Sequence, residues 1–159
     1  MEKQNSDITE IQIENHIRKI ITDEILKNNP HLEMLENKDV FDIIICDNST
    51  TLKLFFIEIK HYSTKNNRMG FGNRYDDGFQ PEILSKRPKY FEKYLLWVFQ
   101  SENDTNYYIM TNDDCKKFFM GGSIGKKQNN FQKSLFDNLK PLSENEFLHY
   151  IENWITSKK

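Results

Sequence analysis

Asp42, Glu58 and Lys60 are the residues whose types and spacing point most directly to chemistry. Asp42 opens an apolar run, Ile43-Ile44-Ile45-Cys46, and Glu58 and Lys60 close another, Phe55-Phe56-Ile57-Glu58-Ile59-Lys60. Side chains alternate across a strand, so Glu58 and Lys60 share one face while Ile57 and Ile59 turn to the other, towards the core. In a hairpin the start of the first run lies beside the end of the second, which brings two carboxylates and one ammonium together. Neighbouring carboxylates repel unless a cation sits between them. A hard divalent ion such as Mg²⁺ takes one or two carboxylates together with water and phosphate oxygens. For an isolated Glu-x-Lys an ordinary ion pair on a solvated strand is the simpler reading; the apolar lead-in and the upstream acid favour the cation. Asp39 is the rival for the first acid, and Asp42 is preferred because the apolar run begins directly after it.

Glu14 is a further candidate. In helical projection it lies close to Ile11, Ile17, Ile21 and Ile25, on the stripe expected to face the core, where a carboxylate is unusual. Two readings stand side by side: it reaches the same cation, directly or through water, or it pairs with Arg18 one turn on.

The elements that must position these groups follow from periodicity. Asp7 with Glu10 resembles a capping box, and isoleucines at helical spacing predict a helix over about residues 8–28, ending before Pro30. Residues 31–38 allow a short first strand. Val40–Cys46 and Leu52–Lys60 read as strands joined by the turn-forming Asp47-Asn48-Ser49-Thr50. Residues 61–81 read as a long loop or recognition insert, and Pro81 and Glu82 can open a helix. Pro88 interrupts it or starts a second one, and Tyr90–Tyr94 continues helically. Leu95–Phe99 and Tyr107–Thr111 are strands, Asn112 caps a short helix to Met120, and Gly121–Asn130 is a glycine-rich basic loop. Ser143 and Glu146 cap a last helix whose Phe147, Tyr150, Ile151 and Trp154 form one apolar stripe. The predicted fold class is α/β, mixed α+β, with a central mixed sheet flanked by helices in a single domain over 1–159.

Bulk properties agree with a globular chain. Among 159 residues, 37% are hydrophobic and 29% charged, which excludes a disordered polymer. No stretch approaches the length of a membrane span, and residues 1–7 carry no apolar signal core, so the expected location is the cytoplasm. Cys46 and Cys115 lack neighbours at zinc spacing and read as reduced, packed thiols. Net charge is −2, which announces no nucleic-acid binder, but its distribution is uneven. Residues 1–59 hold 6 Lys+Arg against 12 Asp+Glu, whereas residues 60–94 hold 8 against 4. An acidic first third is thus followed by a basic middle.

The arrangement Asp42…Glu58-Ile59-Lys60 on a hairpin, after a helix carrying Glu14, resembles the PD-(D/E)XK nucleases, which include type II restriction endonucleases and Holliday-junction resolvases. The resemblance covers residues 8 to about 111. It departs from the pattern at Phe41, where proline precedes the first acid in some members. A Gln-x-x-x-Tyr pattern of some relatives is not matched either, because Leu84 stands four places after Gln80.

The resemblance implies a restriction-endonuclease-like core and a metal-dependent DNA endonuclease. Asp42, Glu58 and the Ile59 carbonyl would hold Mg²⁺, for which Mn²⁺ is the expected substitute. Lys60 would orient the attacking water and stabilise charge on the phosphorane, with Glu14 assisting. Double-stranded DNA is the implied partner. Lys65, Arg68, Asn73, Arg74 and Gln80 in the insert, with Lys86, Arg87 and Lys89 after it, are the candidate DNA contacts. A homodimer is expected, since two strands need two active sites. The alternatives are a Holliday-junction or repair nuclease, an RNA-cleaving toxin domain, and a non-catalytic nucleic-acid-binding module with the same fold. Gly121-Gly122-Ser123-Ile124-Gly125-Lys126-Lys127 is not a phosphate loop: Met120 stands where its first glycine belongs and Lys127 where Ser or Thr is required.

Overall fold

The computed structural model describes residues 3–36, 41–62, 69–70, 93–101, 104–115, 130–131 and 139–157; at 3–9, 62, 69–70, 101 and 130–131 only the backbone is considered. Helix α1, Lys3–Glu24, leads through a 3₁₀ turn, Leu26–Asn28, into β1, Leu32–Leu35. Strands β2, Ile43–Asp47, and β3, Lys53–Tyr62, follow. After β4, Met69–Gly70, come β5, Leu95–Ser101, and β6, Tyr108–Thr111. Strand β7, Asn130–Phe131, and helix α2, Glu144–Thr156, complete the order.

Five strands form one sheet in the order β1-β2-β3-β5-β6. The β1–β2, β2–β3 and β5–β6 pairs are antiparallel and the central β3–β5 pair is parallel. The predicted mixed sheet flanked by helices is therefore present. Strand alternation divides its side chains between two cores. Ile43, Ile45, Phe55, Ile57, Ile59, Leu96 and Val98 pack with Ile17, Ile21, Phe147 and Ile151 of the two helices. Phe56, Leu95, Trp97 and Phe99 pack on the opposite face with Phe41, Tyr108 and Cys115. Burial on both faces explains why β3 and β5 read as nearly continuous apolar runs. It also corrects the expectation that only the Ile57 and Ile59 face is core: the Glu58 face carries apolar packing of its own.

Several boundaries differ from the sequence reading for physical reasons. Helix α1 begins at Lys3, before the Asp7–Glu10 pair, so Asp7 is an interior residue and not a cap; residues 3–7 contain no Pro or Gly to stop the helix. Ile11 is 54% exposed, and the buried stripe runs instead through Ile17, Ile20 and Ile21, with Ile13 beside it. The helical turn at 112–115 is capped by Thr111, whose Oγ1 accepts the Asp114 N–H at 3.1 Å. Asn112 is buried inside, its Oδ1 accepting the Trp97 Nε1–H at 3.0 Å. Within the expected insert and glycine-rich loop, β4 pairs antiparallel with β7.

Other expectations hold. The Ser143–Glu146 capping box is formed in both directions, although Tyr150 is 41% exposed and Leu148 and Ile155 take its place on the buried stripe. The Asp47 side chain closes the β2–β3 turn by accepting the Ser49 N–H at 2.8 Å. Cys46 and Cys115 are free and buried, and burial raises both thiol pKa values, leaving them unreactive. Among the described residues, no helix is long and apolar enough to cross a membrane.

Candidate functional site

The β2–β3 ladder pairs Ile43 with Ile57 and Ile44 with Phe56. Continuing that register one step places Asp42 opposite Glu58, just beyond the end of β2. There the main-chain pairing gives way to a side-chain bond: the Ile59 N–H donates to Asp42 Oδ2 at 2.6 Å. Two residues along β3, Lys60 Nζ donates to Glu58 Oε1 at 3.1 Å. This ion pair is secluded, with side-chain exposures of 16% for Lys60 and 7% for Glu58. On the other side, Glu58 is in register with the fully buried Trp97 of β5. Asp42, Glu58 and Lys60, the three residues singled out by spacing, are thus brought together.

Glu14 joins them from α1. Its pKa is pushed up to about 7, first by burial and then by the charges of Asp42, Glu10 and Glu58, against a smaller lowering by Arg18. The Asp42 carboxyl is also raised, chiefly by burial. Opposing this are the Ile59 N–H, the charges of Lys60 and Arg18, and a hydrogen bond shared with Glu14. For Lys60, burial alone would favour the neutral amine. The charges of Glu58, Glu10 and Asp42 and the bond to Glu58 outweigh it, so its pKa is raised and the ammonium is retained. The carboxyls of Glu14 and Asp42 therefore hold a proton unusually well, as expected for carboxylates drawn out of water, with neighbouring negative charge adding to the effect at Glu14.

The alternative of a Glu14–Arg18 ion pair is not realised among the described residues. Arg18 Nη1 lies 3.7 Å from Met34 Sδ on β1, and its charge acts on Glu14 and Asp42 from a greater distance. Two participants escaped the sequence reading. Glu10, taken as half of a capping box, acts on both Lys60 and Glu14; its spacing of four from Glu14 was the available signal. Arg18, whose spacing suggests a partner for Glu14 alone, acts on Asp42 as well.

Among the described residues, no group of three or more His, Cys, Asp or Glu side chains is arranged to hold a metal ion. The proposed DNA contacts Lys65, Arg68, Asn73, Arg74, Gln80, Lys86, Arg87 and Lys89 all lie outside the described residues. No protein-family model, no curated protein and no solved structure matches the chain.

Proposed function

We propose that the chain is a Mg²⁺-dependent endonuclease that hydrolyses DNA phosphodiester bonds, of the type II restriction kind, on a restriction-endonuclease-like core. The observation that carries this reading is the meeting of Glu14, Asp42, Glu58 and Lys60 where the β2–β3 pairing ends. The order of helix, antiparallel β1–β2–β3 and then a parallel β5 beside β3 is compatible with that core.

The donor set suits a hard divalent cation. Asp42 and Glu58 offer carboxylate oxygens, and the raised pKa of Glu14, caused first by burial and then by the charges of Asp42 and Glu10, marks a place where either a proton or a cation relieves crowded carboxylates. The two main-chain groups of a strand residue point to the same side. The Ile59 carbonyl therefore lies on the Asp42 side, as its N–H does, and is the natural third ligand. A bound Mg²⁺ would polarise a phosphate oxygen and lower the pKa of a bound water. The chain's own contribution is then the Lys60 ammonium, kept charged by Glu58, Glu10 and Asp42. It would orient the attacking water and stabilise the phosphorane. Glu14 would hold the proton that it shares with Asp42 until the cation replaces it.

The test is incubation with genomic duplex, branched junctions and RNA in the presence of Mg²⁺, with sequencing of the ends. Fixed ends in duplex DNA support restriction-type cleavage; cutting confined to junctions or to RNA selects a different nuclease, and a fully active Glu58→Ala variant removes the metal assignment. A homodimer follows from the need to cut two strands, and a monomer bound to DNA in gel filtration would count against it.

A second reading is favoured by one observation. The Glu58–Lys60 pair neutralises itself, as suits a non-catalytic nucleic-acid-binding module. Calorimetric titration with Mg²⁺ separates the two: no binding and no cleavage of any nucleic acid favours the module.

A further inference from the structure

Arg18 occupies an unusual position beside the acid cluster. It is half-buried on α1, one helical turn from Glu14 and on the flank of the stripe that packs Ile17 and Ile21 into the core. Its single direct polar partner among the described residues is the thioether of Met34, at 3.7 Å from Nη1. Sulfur is a weak acceptor, whereas a guanidinium carries five N–H donors in a planar fork matched to carboxylate or phosphate. Yet Arg18 is close enough for its charge to act on both Glu14 and Asp42. A cation held at the edge of an acidic centre, with most of its donors lacking a partner among the described residues, is equipped to receive an anion.

The site also needs such a group. Glu10, Glu14, Asp42 and Glu58 gather negative charge where a polyanion would have to approach. Lys60 answers part of it but is already committed to Glu58 at 3.1 Å. Arg18 is a second cation acting on this cluster, through Glu14 and Asp42. A fork-shaped donor answers the two non-bridging oxygens of a phosphodiester better than a point charge does.

We propose that Arg18 is a substrate-binding residue, its guanidinium receiving a DNA backbone phosphate next to the one being cut. The inference rests on the endonuclease reading and adds to it a phosphate contact on α1, outside the basic segment from which such contacts were expected. The phosphate would exchange the Met34 thioether for a charge-assisted fork, so Arg18 would act on substrate binding more than on the chemical step.

The experiment is steady-state cleavage of duplex DNA with Mg²⁺ by the full chain and by Arg18→Met and Arg18→Lys, over a series of salt concentrations. Losing one charge-assisted phosphate contact should lower kcat/KM about tenfold or more, mainly through KM. The salt dependence should fall by about one phosphate contact. Arg18→Lys should recover part of the loss by restoring the charge without the fork. A role confined to packing or to steadying Glu14 predicts otherwise, and Glu14→Gln tests it: a phosphate contact makes the Arg18→Met effect on KM persist in that background, whereas action through Glu14 makes it vanish. Unchanged KM and salt dependence, or disappearance in Glu14→Gln, overturns the inference while leaving the endonuclease reading intact. A wild-type chain that cuts no DNA overturns both. Thermal unfolding of each variant identifies any loss that comes from misfolding, and Arg18→Lys then carries the comparison alone.

Discussion

Asp42 accepts the main-chain N–H of Ile59 at 2.6 Å, seventeen positions away in sequence. The bond replaces the next rung of the β2–β3 ladder with a carboxylate. It fixes the first acid against the strand residue that lies between Glu58 and Lys60. The candidate site is therefore assembled by sheet register and pinned at Asp42 by a side-chain to main-chain bond.

That bond makes Asp42 structural as well as functional. Asp42→Ala strands the Ile59 N–H in a partly buried place and should cost about 1–3 kcal/mol in stability. Asp42→Asn keeps an acceptor oxygen and should cost less, while losing cleavage as fully as the alanine variant. Urea denaturation beside a cleavage assay measures both, and equal destabilisation by the two substitutions would refute the structural half.

Glu58 and Lys60 form a secluded pair, and breaking one member of such a pair leaves an uncompensated charge. Lys60→Met should destabilise the fold by about 3 kcal/mol or more. Alanine or methionine at this position is thus not the structurally silent change that a solvated strand end would suggest. Pairing it with Glu58→Gln should return most of the stability and none of the activity. A double variant no more stable than Lys60→Met alone would speak against the ion pair.

Glu14 sets a pH dependence whose sign can be worked out. Its pKa rises from 4.5 unfolded to about 7 folded, so between those values the folded chain binds more protons than the unfolded one. Stability linked to Glu14 is then greatest at and below about pH 4.5 and declines as pH rises through about 7. Glu14→Gln should stabilise the protein above that range, by about 1 kcal/mol once solvent screening of a half-exposed carboxyl is allowed for, and do little at the acid end. Mg²⁺ should also raise the melting temperature more at alkaline than at acidic pH, because cation and proton compete. Melting curves across pH with and without Mg²⁺ check both; a Glu14→Gln effect independent of pH would exclude the raised pKa.

Asn112 is linked to the site through Trp97. Its Oδ1 accepts the Trp97 Nε1–H at 3.0 Å, both residues being fully buried, and Trp97 is in register with Glu58. Asn112→Ala should cost about 1–3 kcal/mol by leaving the indole N–H unpaired. It should also shift the tryptophan emission. Wild-type stability in that variant would show that the bond contributes little.

The strands carrying the site were legible because local composition decides them. Isoleucine and phenylalanine runs at 43–46 and 54–59 suit a sheet buried on both faces. The alternation of Glu58, Ile59 and Lys60 needs only a strand's two-residue period. The capping box at Ser143 was legible for the same reason, since its partners lie three residues apart. Thr111 displaced Asn112 as a cap because Asn112 found a better partner in Trp97, fifteen residues away in sequence and on another strand. Ile11 is exposed although it shares the helical spacing of its buried neighbours, so spacing alone does not decide which end of the stripe is covered.

By itself, then, the sequence determined which segments are strands and which side chains share a face, since these follow from backbone geometry and nearest neighbours. Only the tertiary structure decided that Asp42 bonds to Ile59 and to Glu14, and that Arg18 turns to Met34 and not to Glu14. Those contacts join α1, β1, β2 and β3, and their energies depend on distances and burial that no local pattern encodes.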